Sequence, residues 1–174
     1  LDFLIHDFDA VRFLSGSEIV EVYAAGGVLV DPAIGAAGDI DTAVVTARLA
    51  NGALAVIDAS RQAVYGYDQR FEVFGSAGSV AAHNTTPSTR VLSTTRGVVA
   101  RTPHDGFVSR YREAFVAELR SFLAAVRGAG PVVAGAADAL AAVRVAAAAR
   151  QSFLEKRPVQ LTPATAVAGR GAKP

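Results

Sequence analysis

Two β-prone runs, residues 41–50 (DTAVVTARLA) and 53–59 (ALAVIDA), meet at Asn51-Gly52, and no other feature narrows the fold so far. Asparagine and glycine both tolerate positive φ, so the pair closes a tight turn and obliges the flanking runs to pair antiparallel. Residues 19–30 are also β-rich, with Val20, Val22, Val28 and Val30 offered to one side. Residues 31–39 hold Pro32, Gly35 and Gly38 and read as a loop. Past the hairpin, residues 61–68 form a strand end and loop carrying Tyr65 and Tyr67. Residues 69–75 alternate as a half-buried strand, which Gly75-Ser76-Ala77-Gly78 turns into residues 79–82. The stretch 83–106 is less regular and holds a short strand near 91–94.

Helical patterns flank these strands. Residues 2–14 form a helix that stops at Ser15-Gly16, where glycine can adopt the left-handed conformation. Residues 111–127 place Phe115, Leu119, Phe122 and Val126 at helical intervals, and Gly128 to Pro131 interrupt them. Residues 136–156 form an alanine-rich helix, 159–161 return as an edge strand, and 162–174 are a frayed tail. Consecutive hairpin-linked strands between helices imply an α+β fold: a mostly antiparallel open sheet with helices packed on one face.

Composition removes several function classes. Seventeen basic against 16 acidic side chains leave no broad electrostatic footprint for nucleic acid or an anionic membrane. The absence of cysteine excludes disulfides, thiolate nucleophiles and cysteine-ligated metal centres. The apolar stretch 134–149 is interrupted by Asp138 and Arg144, and no export signal is evident. The expectation is therefore a cytoplasmic protein with no membrane partner.

Residues 2–9 carry the most chemistry. Asp2, His6 and Asp9 stand at i, i+4 and i+7, on one helix face, with Leu4, Ile5, Phe8 and Val11 on the other. An aspartate bonded to one imidazole nitrogen fixes the tautomer and raises the basicity of the other, which suits a general base. Spacing alone also admits an Asp2 that merely caps the helix beside a surface His6. Metal binding through His6, Asp7 and Asp9 is a further alternative, opposed by Asp7 pointing away from the other two. His83 and His104 read as surface histidines. No G-x-G-x-x-G, P-loop or G-x-S-x-G motif is present. Arg61, Tyr65, Tyr67 and Asp68 offer polar contacts to a sugar-like ligand or simply a solvated sheet edge, and Arg110, Arg112 and Arg120 a solvated helix face.

The D-x-x-x-H-D-x-D core from Asp2 to Asp9 and the R-F-L-x-G that follows resemble the glucose–fructose oxidoreductase/inositol dehydrogenase/MocA family. G-D-I-D-T-A (38–43), N-G-A-L-A-V-I-D-x-S-R-Q-A-V-Y-G-Y-D-Q-R (51–70) and E-V-F-G-S-x-G (72–78) are most similar to its inositol dehydrogenases. V-x-G-x-x-D-A-L-x-A-x-R-V-A-x-A-A (133–149) and S-F-L-E-K-R-P-V (152–159) extend the resemblance to about residues 1–161.

The resemblance implies a substrate-binding and oligomerisation domain that follows an N-terminal Rossmann domain. It implies His6 as the base that takes a hydroxyl proton and Asp2 as the group that orients it, with Asp9 and Tyr65 as substrate contacts. It also implies NAD or NADP as cofactor, a cyclic polyol such as myo-inositol or a related sugar as substrate, and homo-oligomers formed through the open sheet face. Val22, Val45, Val56 and Phe74 are the kind of residue that would line that face. The family's E-K-P lysine has no counterpart, because Glu155-Lys156 lies in the last helix and is followed by Arg157. The chain is accordingly expected to lack its Rossmann domain, to bind no cofactor by itself and to be inactive alone. A binding or assembly module that keeps the sheet without the chemistry is the reading from a different class.

Overall fold

The computed structural model describes residues 3–162 and divides into two compact units. One comprises the chain up to Arg61 together with the part from Ala134 onward; the other is Gln62–Val133. Asp2 and residues 163–174, which make up the expected tail apart from Thr162, lie outside the described residues.

The first unit holds a four-stranded antiparallel sheet of β1 (Ile19–Gly27), β2 (Thr42–Leu49), β3 (Leu54–Ser60) and, numbered last in the chain, β8 (Val159–Gln160). Their order is β3-β2-β1-β8. Alternation sends Val45, Ala47 and Leu49 of β2 and Ile57 of β3 into the core, while Val44, Thr46, Arg48, Leu54 and Val56 face out. The expected β2–β3 hairpin is present, but its turn has three residues, Ala50-Asn51-Gly52. Only Gly52, at φ 87°, takes the left-handed conformation. Leu49 N–H donates to Ala53 O at 2.9 Å across it, and Ala53 N–H donates to the Asn51 side chain at 3.1 Å.

In β1 a register shift between Ile19 and Glu21 changes the expected pattern. The bulge lets Ile19, Val22 and Ala24 share the buried face, whereas Val28 and Val30 lie beyond the strand and are exposed. Val22 and Val45, expected on the open sheet face, are instead 0% and 1% exposed and belong to the core, because their strand positions point to the helix-covered side. Val56 and Phe74 are exposed.

Helices cover only the inner face. α1 (Ile5–Ser15) ends as expected at Gly16, with φ 61°. It turns Leu4, Phe8 and Val11 to the core, and Phe8 is 1% exposed, a burial that stabilises by about 2 kcal/mol. α5 (Ala136–Glu155) presents Val145, Ala146, Ala148 and Ala149, whose small side chains let the helix lie close against β1. Strand β8 pairs only Glu21 and Val22 of β1, so the next edge amide needs another acceptor. Ser152 of α5 supplies it: Ala24 N–H donates to Ser152 Oγ at 3.0 Å, and that hydroxyl donates to Arg157 O at 2.6 Å.

The expected loop at 31–39 contains a short helix, α2 (Pro32–Ala36). Asp31 caps it by accepting from Ala33 N–H at 2.9 Å, and Pro32 suits its first turn because it has no N–H to leave unpaired.

The second unit is built from hairpins. β4 (Phe71–Gly75) pairs β5 (Gly78–Ala82), and β6 (Val91–Thr94) pairs β7 (Gly97–Ala100), both antiparallel. β7 was not anticipated. Two short helices' worth of chain follow, α3 (Phe107–Arg110) and the longer α4 (Arg112–Val126). Phe115, Leu119, Phe122 and Val126 do line one side of α4, and all four are exposed. Among the described residues no helix is long and apolar enough to cross a membrane.

Candidate functional site

α1 positions the first cluster. His6 is exposed one residue into the helix, and Asp9 follows three residues later, so the two are neighbours on its polar side. Phe8 roots the same turn in the core. Asp2, expected to orient His6, lies outside the described residues. Asp7 is half-buried: burial raises its carboxyl above the usual range, His6 pulls it down, and the charge of Asp58 on β3 raises it further. Among the described residues no group of three or more His, Asp or Glu stands close enough to hold a metal ion.

Arg12 was missed by sequence reasoning. It is 6% exposed, and its guanidinium serves three carboxylates. Nε and one terminal nitrogen donate to Glu18 at 2.8 and 2.7 Å, and the other terminal nitrogen donates to Asp9 Oδ1 at 3.0 Å. The third is Asp138 at the start of α5: its backbone O accepts at 3.4 Å from the nitrogen that serves Asp9, and its carboxylate Oδ1 lies 3.9 Å from the terminal nitrogen that serves Glu18. Glu18 foremost keeps this guanidinium protonated, against the opposing effect of burial. Arg12 therefore fixes the orientation of Asp9 on the helix side it shares with His6, where its carboxyl can accept from a ligand hydroxyl. The available signal was the D-x-x-R spacing of Asp9 and Arg12, but the bond that ties Arg12 to Asp138 spans 126 residues of sequence.

In the second unit Tyr65 is exposed and belongs to a network centred on Asp68. The Tyr65 hydroxyl donates to Asp68 Oδ2. Arg70 grips the same carboxylate with two bonds, Nε to Oδ1 at 2.8 Å and a terminal nitrogen to Oδ2 at 2.9 Å. Asn84 donates to Oδ1 at 2.6 Å and accepts from Gln69 N–H at 2.9 Å. Arg70 foremost, with Tyr65 and Asn84, lowers the Asp68 pKa to about 2 against the effect of burial. Hydrogen bonding to that carboxylate raises the Tyr65 pKa above its ordinary value. Arg110, expected on a solvated face, instead donates to Thr85 Oγ1 and His83 O, while Arg112 and Arg120 are exposed.

Among the described residues neither unit supplies a phosphate cradle. At the β1–α2 junction the amides of Leu29, Val30 and Asp31 point inward at 2.8, 2.8 and 2.9 Å, but onto the Asp41 carboxylate. Burial would raise the Asp41 pKa; these three bonds and one from Thr42 overcome that and hold it well below the usual carboxylate range. Asp31 occupies the next amide. A dinucleotide phosphate brought here would meet two carboxylates, so these residues do not fit that group.

The family model for the GFO/IDH/MocA C-terminal domain matches residues 1–81. The myo-inositol 2-dehydrogenase of Thermotoga maritima is 47% identical over 161 residues, covering 92% of this chain and 48% of the relative. A crystal structure of a myo-inositol dehydrogenase from Corynebacterium glutamicum superposes with a TM-score of 0.87 at 36% identity, covering 94% of this chain and 49% of that one. A crystal structure of scyllo-inositol dehydrogenase from Lactobacillus casei with bound NAD(H) and scyllo-inositol gives 0.84 at 27% identity, covering 92% and 47%. The chain thus spans about half the length of the relatives it matches.

Proposed function

The chain belongs to the GFO/IDH/MocA family and carries its C-terminal domain, and from that premise we propose that it is the substrate half of an NAD-dependent dehydrogenase oxidising a secondary alcohol of a cyclic polyol, myo-inositol or a close relative. The observation that carries the reading is the polar face of α1. An exposed imidazole stands there beside a carboxylate whose orientation Arg12 fixes, on a helix rooted by Phe8. The inositol dehydrogenases among its relatives supply the substrate class.

In this reading His6 accepts the proton of the hydroxyl being oxidised. A neutral imidazole carries one unprotonated ring nitrogen, which can accept that proton. Asp2, one turn before it in sequence, orients the ring, and Asp9 and Tyr65 hold other hydroxyls of the substrate. The nicotinamide, NAD in preference to NADP given the dinucleotide bound in the Lactobacillus casei structure, supplies the hydride acceptor. A Rossmann domain preceding this chain would hold it. The chain alone would then be inactive, and the enzyme would work in the cytoplasm, where nicotinamide dinucleotides are held.

The outer face of the sheet supports self-association. Tyr23, Val44, Leu54 and Val56 make an exposed apolar strip across β1, β2 and β3, of the kind that two copies bury against each other.

The test is to express the chain with the coding sequence that precedes it. NAD reduction is then followed with myo-inositol, scyllo-inositol and monosaccharides. Turnover of an inositol above the sugars is the expected result. Preference for a monosaccharide would move the substrate within the family, and no turnover of any cyclic polyol or sugar by the folded protein would overturn the reading.

A further inference from the structure

The Asp68 network has a consequence for what Tyr65 can recognise. A carboxylate offers about four lone-pair sites, two on each oxygen. Asp68 Oδ1 already accepts from Arg70 Nε and Asn84 Nδ2, and Oδ2 accepts from Arg70 and from the Tyr65 hydroxyl. All four are taken, so Asp68 has no site left for a ligand hydroxyl. With Arg70 and Asn84 both donating to it, the group stays an ionised acceptor at neutral pH and cannot hand a proton back to Tyr65. A phenol has one proton. That proton is committed to Asp68, which leaves the exposed Tyr65 oxygen with acceptor capacity only.

We propose that Asp68 is a positioning residue that makes the Tyr65 hydroxyl a hydrogen-bond acceptor toward the ligand. The site therefore selects a free hydroxyl over a fluorine, an ether or a carbonyl at the carbon Tyr65 faces. This rests on the reading of Tyr65 as a substrate contact in a polyol dehydrogenase. A hydroxyl can donate to Tyr65, whereas the other three groups only accept and would oppose lone pair to lone pair. Arg70 and Asn84 serve the same end by anchoring the carboxylate, and Tyr65 takes no part in proton transfer.

The experiment measures kcat/KM of the two-domain enzyme for myo-inositol and for its monodeoxy, monofluoro and mono-O-methyl derivatives, in wild type, Tyr65→Phe and Asp68→Ala. The carbon facing Tyr65 is the one whose deoxy penalty disappears in Tyr65→Phe. At that carbon the wild type should reject fluorine as strongly as hydrogen, by about tenfold, the worth of one neutral hydrogen bond. Asp68→Ala removes that acceptor, frees the phenol to donate and should recover most of that loss for the fluoro compound alone, a selective change that mere loosening of the loop would not produce. A fluoro derivative accepted as well as myo-inositol, or a fluoro-to-hydroxyl ratio unchanged in Asp68→Ala, would overturn the proposal. Absence of turnover with every polyol would instead overturn the functional reading beneath it.

The network has its own check on the chain as it stands. The phenol assigned to Tyr65 by difference from Tyr65→Phe should titrate above an ordinary tyrosine and return toward the ordinary value in Asp68→Asn. A Tyr65 phenol that titrates alike in both would overturn the proposal whatever the turnover.

Discussion

In the unit that contains β1, β2, β3, β8, α1 and α5, apolar side chains alternate between a packed face and an open one, and the buried Arg12 and Ser152 each bond a residue from a distant part of the chain. In the hairpin unit, similar residues stay at the surface: Phe74 is 84% exposed, and no strand residue of β4 to β7 is buried. The contrast has a physical cause. Four strands and a 20-residue helix can enclose an apolar face, whereas a two-stranded ribbon has no interior of its own. Polar order in the two units differs in the same way. Arg12 and Ser152 lock helices to one another or to the sheet, while the Asp68 network organises a loop and is exposed on its tyrosine side.

Arg12→Ala should have the largest effect on this contrast, because it leaves Glu18, Asp9 and Asp138 facing one another without a countercharge. A loss of about 2 to 3 kcal/mol is expected, less than for a fully buried pair because Glu18 and Asp9 stay 39% and 40% exposed. Urea unfolding would measure it, and a change under 0.5 kcal/mol, on the order of an ordinary surface mutation, would mean the cluster is ornamental.

Next comes a matched pair. Val45→Ala, at a 1% exposed site, should cost about 2 kcal/mol, while Val98→Ala, at a 70% exposed site, should stay within about 0.5 kcal/mol. Equal losses at the two positions would erase the distinction between the units.

Ser152→Ala should cost about 1.5 kcal/mol by stranding the Ala24 amide. Hydrogen exchange at Ala24 should accelerate with it, and unchanged exchange would show that another acceptor takes the amide.

The smallest effect is acid sensitivity shared by both units. Asp41 and Asp68 both have folded pKa values below their unfolded ones, so each contributes stability that is present above the ordinary carboxylate pKa of about 4 and is lost as pH falls through the folded value. Stability should therefore be steady near pH 6 and decline between about pH 4 and 2, by less in Asp68→Asn. An acid melt of identical slope in that variant would remove Asp68 from the account.

What the sequence disclosed was local. Asn51-Gly52 marked its hairpin and Gly16 its helix stop, because a turn needs only its own residues. The β6–β7 turn at Thr95-Arg96 escaped notice since neither residue is a usual turn former, and only Gly97, at φ 139°, hints at it. The bulge after Ile19 shifted a pattern that strict alternation could not anticipate. His6 and Asp9 were legible from helical spacing. The support of Asp9 and of Tyr65 was not, because Arg12 bonds Asp138 and Asp68 is fixed by Asn84, contacts that no window of a few residues contains.

The most direct test of the proposed site is an assay of myo-inositol oxidation by the proposed two-domain enzyme and its His6→Ala variant. The account predicts that kcat falls by about 10² to 10⁴ while KM moves only a few-fold, as removal of a general base requires. A variant that keeps its kcat would contradict it, and would leave α1 as a structural helix with a surface histidine.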